Sequence, residues 1–547
     1  MTIKLTNLKT HKLMKKYIYI LSVCTAAMFA TSCVGDLDQY PHEEITSESV
    51  YTNLQNYKSV LGKIYTSMVT TGQGKDGNLD LSSNYGHDYI RCYFNLQEVG
   101  TDEVAYTWLS GDNLADISNL SWDANNPWVA DMYYRIYYNI ALCNEFLRNA
   151  TDEKISGFTE SERNEIVHYR AEARFMRALF YYHAMDLFRN IPFVTENDPV
   201  GSYIPPRYMA RNMFEYIESE LKAIENDLLS KDECPYGRAS KGAAYTLLAK
   251  LYLNAQTYIG ETRYNECVEA CQSAIGQGYS LEVDVNNDYI IDCYRRLFNA
   301  DNHLRTNEII FTLPVDANTT VSWGSSTYMV CGAVSQTSAT QNPADYGVTK
   351  GWGSMRICKT VTDLFEGNDK RGKFYKTGQT DKVTSIEKAS TGYLSTKWTN
   401  LKDNGEAASN TDQSGVNTDY PLFRLADVYL MYAEATARGG NGDMATAVGY
   451  VNDLRERAFG DNSQNVAETD LTENNCRFFL DERARELYWE CTRRTDLIRF
   501  NLFTTADYLW EFKGGVSDGT SVESKYNYYP IPSAELTANP NLKNEEY

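Results

Sequence analysis

Apolar positions recur at three- and four-residue spacing along residues 126–149 (NPWVADMYYRIYYNIALCNEFLRN), and that spacing predicts a helix. Residues 159–189 predict a second, in which small residues alternate with large ones along RAEARFMRALFYYHAMDLF. Residues 211–229, 239–257 and 263–275 continue the pattern, and after a long interruption it returns at 421–438, 443–458 and 473–499. Paired helices with short connections resemble tetratricopeptide units, whose period is about 34 residues, although the pairs at 126–189 and 211–257 run longer. A chain of this kind buries its apolar faces by stacking helix pairs. The predicted fold class is therefore all-α, a tetratricopeptide-like helix-pair scaffold. Between about 282 and 414 the helical period almost vanishes and Thr, Ser, Gly, Asn and Asp dominate, which predicts a loop-rich subdomain with short strands. Residues 72–120 and the last 40 residues share that polar, irregular texture. Helices are the expected scaffold and loops the expected working surface.

The N-terminus is patterned differently. Lys15 and Lys16 precede an apolar run of 13 residues, Tyr17 to Phe29, too short to span a bilayer as a helix. With Ala30-Thr31-Ser32 before Cys33, this reads as a signal peptide that resembles a bacterial lipobox, with Cys33 as the acylated residue and Met14 as an equally good start. Asp36 and Asp38 resemble a surface-export tag. The expected organisation is a signal peptide over 1–32, a lipidated tether over 33–45, and a helical scaffold over 46–281. A loop-rich subdomain over 282–414, a second helical part over 415–501 and an irregular C-terminal segment over 502–547 complete it.

Charge narrows the partners. The chain carries a net charge of −21. Loss of the first 32 residues would remove five lysines and no acids, making the remainder more acidic still. Nucleic acid is thereby excluded, since phosphate binding requires a clustered basic surface. The cysteines after Cys33 are scattered rather than dense and are expected to be mostly buried thiols. Cys267 and Cys271 lie one helical turn apart, but no nearby His or Cys completes a zinc set.

Several blocks resemble a known family. RAEARFMRALFYYHAMDLFRNIP (170–192), GRASKGAAYTLLAKLYL (237–253), PLFRLADVYLMYAEA (421–435), ERARELYWECTRRTDLIRF (482–500) and YPIPSAELTANPNLKNEEY (529–547) are similar to the hallmark blocks of the SusD-like, or RagB/SusD, family. Cys491 departs from the pattern, standing where many members have a turn glycine. WGSSTYMVCG (323–332) and YLWEFKGGVSDGTSV (508–522) are similar to the family's starch-binding founder. The resemblance implies an outer-membrane, cell-surface lipoprotein that captures oligosaccharides, α-glucans first among them, and caps a SusC-like TonB-dependent transporter. It implies no enzymatic activity.

Motif chemistry points the same way. GQGKDG (72–77) satisfies GxGxxG, but no strong strand precedes it and NLDLSSNYG follows where a helix should begin, so it reads as a surface loop. Asp284, Asn286 and Asp288 resemble the first ligands of a calcium loop; Tyr289 replaces the required glycine and Arg295 the closing glutamate, which excludes an EF-hand. An irregular structural calcium site is the one cofactor left open. No histidine sits in a metalloprotease or hydrolase context, and among 73 acids a glycosidase-like pair carries no information. A secreted glycosidase and a protein–protein scaffold are the readings from other classes.

Aromatics are more informative, at 42 tyrosines and 8 tryptophans. A sugar ring presents a flat C–H face that packs on an aromatic ring, while its hydroxyls need short polar partners. Trp122, Trp128, Trp489 and Trp510 lie in helical or hallmark stretches and are expected in the core. Trp108, Trp323 and Trp352 lie in polar loops, where burial explains a large ring less well. The family resemblance aligns these three with an arc of sugar-stacking aromatics and Arg91 with a sugar-contacting arginine. Gly111 and Ser83 depart from an asparagine and an aspartate contact, and Asn84, beside Ser83, is the polar candidate there.

Overall fold

A computed structural model describes residues 47–72, 79–82, 84, 86–284, 290–336, 341–410, 415–545 and 547. The signal peptide, Cys33, Asp36, Asp38, most of the GQGKDG loop, Ser83, Asn286 and Asp288 lie outside the described residues. Ser47–Val50 is a single helical turn. Residues 53–547 form one unit.

The principal helices are α1 (Leu54–Thr66), α2 (Tyr89–Glu98), α3 (Pro127–Asn149), α4 (Glu160–Phe188), α5 (Ala210–Ala223), α6 (Lys241–Leu253) and α7 (Tyr264–Ile275). The series continues with α8 (Ser325–Ala333), α9 (Leu425–Ala437), α10 (Met444–Phe459), α11 (Glu468–Leu487), α12 (Arg493–Arg499) and α13 (Ser533–Ala538). Helix starts follow local chemistry. Asn126 caps α3 by accepting from the Trp128 and Val129 amides, with Pro127 in the first turn. Thr159 and Glu162 form a capping box at α4. Helix α3 packs on α4, α4 on α5, α6 on α7, α7 on α9, and α9 on both α10 and α11. This succession is the stacked helix-pair scaffold expected from the periodicity. Trp122, Trp128, Trp489 and Trp510 are buried. The ten described cysteines are unpaired thiols, nine of them buried.

Three elements differ from the sequence expectation. All ten residues of α2, a helix inside a stretch expected to be irregular, are buried, including the polar face that Arg91, Asn95 and Glu98 make at i, i+4 and i+7. The run 421–438 begins as a strand before turning into α9. The run 473–499 is broken: Asn474, Asn475 and Cys476 take positive φ, and a second break at Tyr488–Thr492 separates α11 from α12. Trp489 and Cys491 have φ of 64° and 61° in that break. The left-handed conformation is why glycine suits the Cys491 position.

Strands are few and short. β1 (Ala105–Tyr106) pairs antiparallel with β3 (Met355–Arg356), and β2 (Ile309–Leu313) pairs antiparallel with β4 (Tyr420–Arg424). The second ladder stitches the loop-rich stretch onto the helical scaffold. Behind it lies an ionic lattice. Arg424 pairs with Glu308 at 3.1 Å and Glu486 at 2.7 Å, Arg457 with Glu486 at 2.7 Å, and Arg371 and Arg455 with Glu482 at 2.6 and 2.7 Å. Burial alone would raise Glu482 and Glu486, but the guanidiniums hold both carboxyls well below the usual range.

Candidate functional site

The site begins at the N-terminus of α2. Asp88, wholly buried, caps the helix by accepting from the Arg91 amide at 2.8 Å. The same carboxylate accepts from the Ser322 hydroxyl at 2.7 Å and the Ser325 amide at 3.2 Å, so it also holds the start of α8. Burial raises the Asp88 pKa against the opposing pull of these hydrogen bonds. Trp323 sits in the turn between the two serine anchors and is 45% exposed.

One turn into α2, Arg91 ties the surrounding loops together. Its guanidinium donates to the Trp323 carbonyl at 3.2 Å and to Asp112 Oδ2 at 3.1 Å. It lies 4.2 Å from the Tyr328 ring centroid and 5.3 Å from that of Trp128. Gly86, at φ 77°, makes room for it: a Cβ there would stand 2.6 Å from Arg91 Nη1 and 3.0 Å from the Trp323 Cβ. Asp112 also accepts from the Tyr106 hydroxyl, its amide donates to the Trp108 carbonyl at 3.0 Å, and its carbonyl accepts from Trp128 Nε1 at 2.6 Å. The Trp108 turn is thereby closed onto the Arg91 partner.

The β1–β3 ladder brings in the third tryptophan. Ala105 pairs with Arg356 and Tyr106 with Met355, and the Thr107 amide donates to the Ser354 carbonyl at 2.7 Å. Trp108 and Trp352 thus flank the same end of the ribbon, both half-buried. The Trp352 amide donates to the Cys331 carbonyl at 2.7 Å, and its ring stands 6.2 Å from Tyr328, the ring that carries Arg91. All three loop tryptophans converge on Arg91 and its partners.

Asn84 lies alongside. Its amide donates to Ser82 Oγ at 3.0 Å and its Nδ2 to Asp131 Oδ2 at 3.4 Å. Asp131 also accepts from Ser82 Oγ at 2.7 Å and is bonded to His87 Nδ1 at 2.5 Å. Burial lowers the His87 pKa more than Asp131 raises it. The His87 ring stacks on Trp128 with centroids 3.5 Å apart.

Arg91, Asn84, Trp108, Trp323 and Trp352 therefore share one neighbourhood. Arg91 is only 8% exposed, and its visible bonds go to protein atoms, which makes it a brace for the loops as well as a donor at their centre. Sequence reasoning did not anticipate Tyr328, Asp112 or His87, nor that Trp128 serves this cluster from the core. An acid directly after Gly111 and a tyrosine inside the WGSSTYMVCG block were the available signals. Asp284 is separate from the site: it accepts from the Cys293 amide and pairs with Arg296 at 3.1 Å and Lys370 at 3.3 Å. The arrangement offers flat aromatic faces beside guanidinium, amide and carboxylate groups, a surface suited to stacking and hydrogen bonding.

Residues 368–547 match the model of the SusD family, and residues 37–253 match the model described as starch-binding associating with outer membrane. The chain is 32% identical to starch-binding protein SusD of Bacteroides thetaiotaomicron, over 96% of this chain and 99% of that one. Among solved structures, a SusD homolog from Bacteroides thetaiotaomicron superposes with a TM-score of 0.70 at 20% identity, covering 92% of this chain and 98% of that chain. Surface glycan-binding protein A from the same species, in complex with laminarihexaose, gives a TM-score of 0.66 at 17% identity, covering 90% of this chain and 99% of that one. A helix-pair scaffold of this order, matched end to end at that level of identity, places the chain in the SusD family.

Proposed function

We propose that the protein is an outer-membrane lipoprotein that binds a glycan at the Trp108–Trp323–Trp352 cluster and passes it to a SusC-like TonB-dependent transporter. The observation that supports this most is the convergence of three loop tryptophans on the Arg91 brace, one of them 45% exposed. In this reading the rings stack on sugar faces, while Arg91 and Asn84 supply hydrogen bonds. Starch-type α-glucan is the leading ligand, since the relative with 32% identity is named a starch-binding protein. Its role is capture rather than bond cleavage; that relative and the glycan-binding protein A fold neighbour carry the names of binding proteins. Cys33 is the anchor that holds it at the membrane, exposed at the cell surface.

A second ligand reading rests on Gly111 and Ser83, which replace polar sugar contacts implied by the family. With Asp112 engaged by Arg91 and Tyr106 instead, another glucan or a fructan would suit the platform.

Calorimetric titration with maltoheptaose, laminarihexaose and inulin tests the site. Alanine at Trp108, Trp323 or Trp352 is expected to weaken binding by roughly one to two decades, about 1 to 3 kcal/mol. Trp489→Ala is the control: this ring is fully buried, its amide and Nε1 donate to Glu103, and its loss should cost about 3 to 5 kcal/mol of stability. Loop variants that lose stability but keep glycan affinity would show packing residues and overturn the assignment.

A further inference from the structure

A second aromatic site lies along α3. Tyr133, Tyr134, Tyr137 and Tyr138 line one side of an open cavity of about 670 Å³, and Tyr203 closes it from the loop after α4. That volume falls within the range of small-ligand pockets, about 300 to 1,000 Å³. The rings hold one another: Tyr133 lies 4.6 Å from Tyr137 and meets Tyr134 edge-on at 5.9 Å. The Tyr137 hydroxyl donates to the Pro192 carbonyl at 2.8 Å. Tyr133 is buried at the base, Tyr134, Tyr137 and Tyr138 are half-buried, and Tyr203 is 36% exposed. Such rings offer apolar faces together with hydroxyls at their rims.

The polar lining selects the ligand. Glu535, on α13, faces the Tyr134 hydroxyl, and Asp80 stands at the other wall, paired with Arg135 at 2.8 Å. Among the described residues lining the cavity there are two carboxylates and no lysine or arginine. An anionic ligand is disfavoured by that balance, and a purely apolar one would cover the two carboxylates without using the acceptor capacity left beside Arg135 and the Tyr134 hydroxyl. A neutral polyhydroxylated chain satisfies both: its C–H faces stack on tyrosine and its hydroxyls donate to Glu535 and Asp80.

The cavity is mechanically continuous with the tryptophan cluster. Arg135 binds Asp80 in the cavity wall and donates through Nε to the His87 carbonyl at 3.0 Å, while Asp131, one turn earlier on α3, holds Asn84. We infer that this tyrosine cavity is an accessory carbohydrate-binding site that takes a neutral segment of the polysaccharide, separate from the tryptophan platform. It rests on the glycan-binding reading but on different residues.

The test compares Tyr134→Ala/Tyr203→Ala with Trp323→Ala in the full chain, by titration with maltoheptaose, laminarihexaose, cellohexaose and inulin, and by retardation in amylopectin gels. Two sites are expected in the wild type for one of these probes. The tyrosine variant should retain the tryptophan-site affinity, lose the second site and bind the polymer about tenfold more weakly. Trp323→Ala should leave residual binding that the tyrosine changes then remove. If the double variant melts lower, Tyr203→Ala alone, on the exposed loop, must still weaken the second site. A single wild-type site, abolished by Trp323→Ala and untouched by the tyrosine changes, overturns the inference alone. A wild type that binds no probe overturns it together with the glycan-binding reading.

Discussion

Asp88 offers a way to disturb the candidate site without touching a residue that faces a ligand. Asp88→Ala removes three acceptor bonds at once: the cap of α2 to the Arg91 amide and the two anchors of the Trp323 turn at Ser322 and Ser325. Loss of the cap costs about 1 kcal/mol. The two anchors lie in a buried setting, where each stranded donor costs about 1 to 3 kcal/mol, partly offset because a buried carboxylate no longer has to be desolvated. The expected destabilisation is about 2 to 4 kcal/mol, read as a lowered urea midpoint. Glycan affinity should fall about tenfold, because the Trp323 turn then loses both of its anchors to α2 and keeps the Arg91 contact. Asp88→Asn is the graded control. Its oxygen can still accept from both amides and its NH2 can donate to Ser322, so the loss should be about 1 kcal/mol with affinity nearly kept. Gly324→Ala attacks the same clamp from the other side, placing a Cβ 2.2 Å from Asp88 Oδ2. Wild-type glycan affinity in Asp88→Ala, with stability reduced as expected, would refute the argument that this clamp positions Trp323.

Three further outcomes are expected. Glu98 and Glu103 are buried against each other; burial first, then the neighbouring carboxylates, push Glu98 well up and Glu103 up to about 7. With folded values above the unfolded ones, their stabilisation is complete below about pH 4.5 and is lost as pH rises through the folded values. Urea midpoints of the wild type should therefore decline from pH 5 to 8 more steeply than those of Glu98→Gln, and parallel slopes would count against a raised Glu98. Cys33→Ala should move the protein from membranes to the soluble fraction, and mild-detergent purification of the wild type should recover a TonB-dependent barrel; unchanged membrane retention would remove Cys33 as the anchor.

Much of the scaffold was legible because its helices are amphipathic and carry ordinary start signals, as α3 and α4 do with Asn126 and Thr159. Helix α2 was not: it is only ten residues long and sits in the polar, irregular texture of residues 72–120, so its short period did not stand out. The break after α11 was hidden for another reason: Trp489 and Cys491 adopt left-handed backbone without being glycine, and only their tertiary partners, such as Glu103, hold them there. At the site, three tryptophans in polar loops stood out by residue type and setting. The Arg91 brace could not be read in the same way, because its contact to Trp323 spans 232 positions and composition does not encode it.

The buried lattice of Arg371, Arg424 and Arg457 with Glu308, Glu482 and Glu486 gives α11 a single permitted position along its own axis. A seam lined by leucine tolerates sliding, since one apolar contact substitutes for another at modest loss. Here a slip of one turn toward the C-terminus, about 5.4 Å, would bring Phe478 to where Glu482 stands and leave Arg371 and Arg455 facing a ring. Each buried charge stripped of its partner costs about 3 to 5 kcal/mol. The opposite slip would draw the Tyr488–Cys491 break into the seam and pull Trp489 from Glu103. The joint is keyed, like a spline in a shaft, and the loops carried on this scaffold inherit a fixed datum from which to hold their tryptophans.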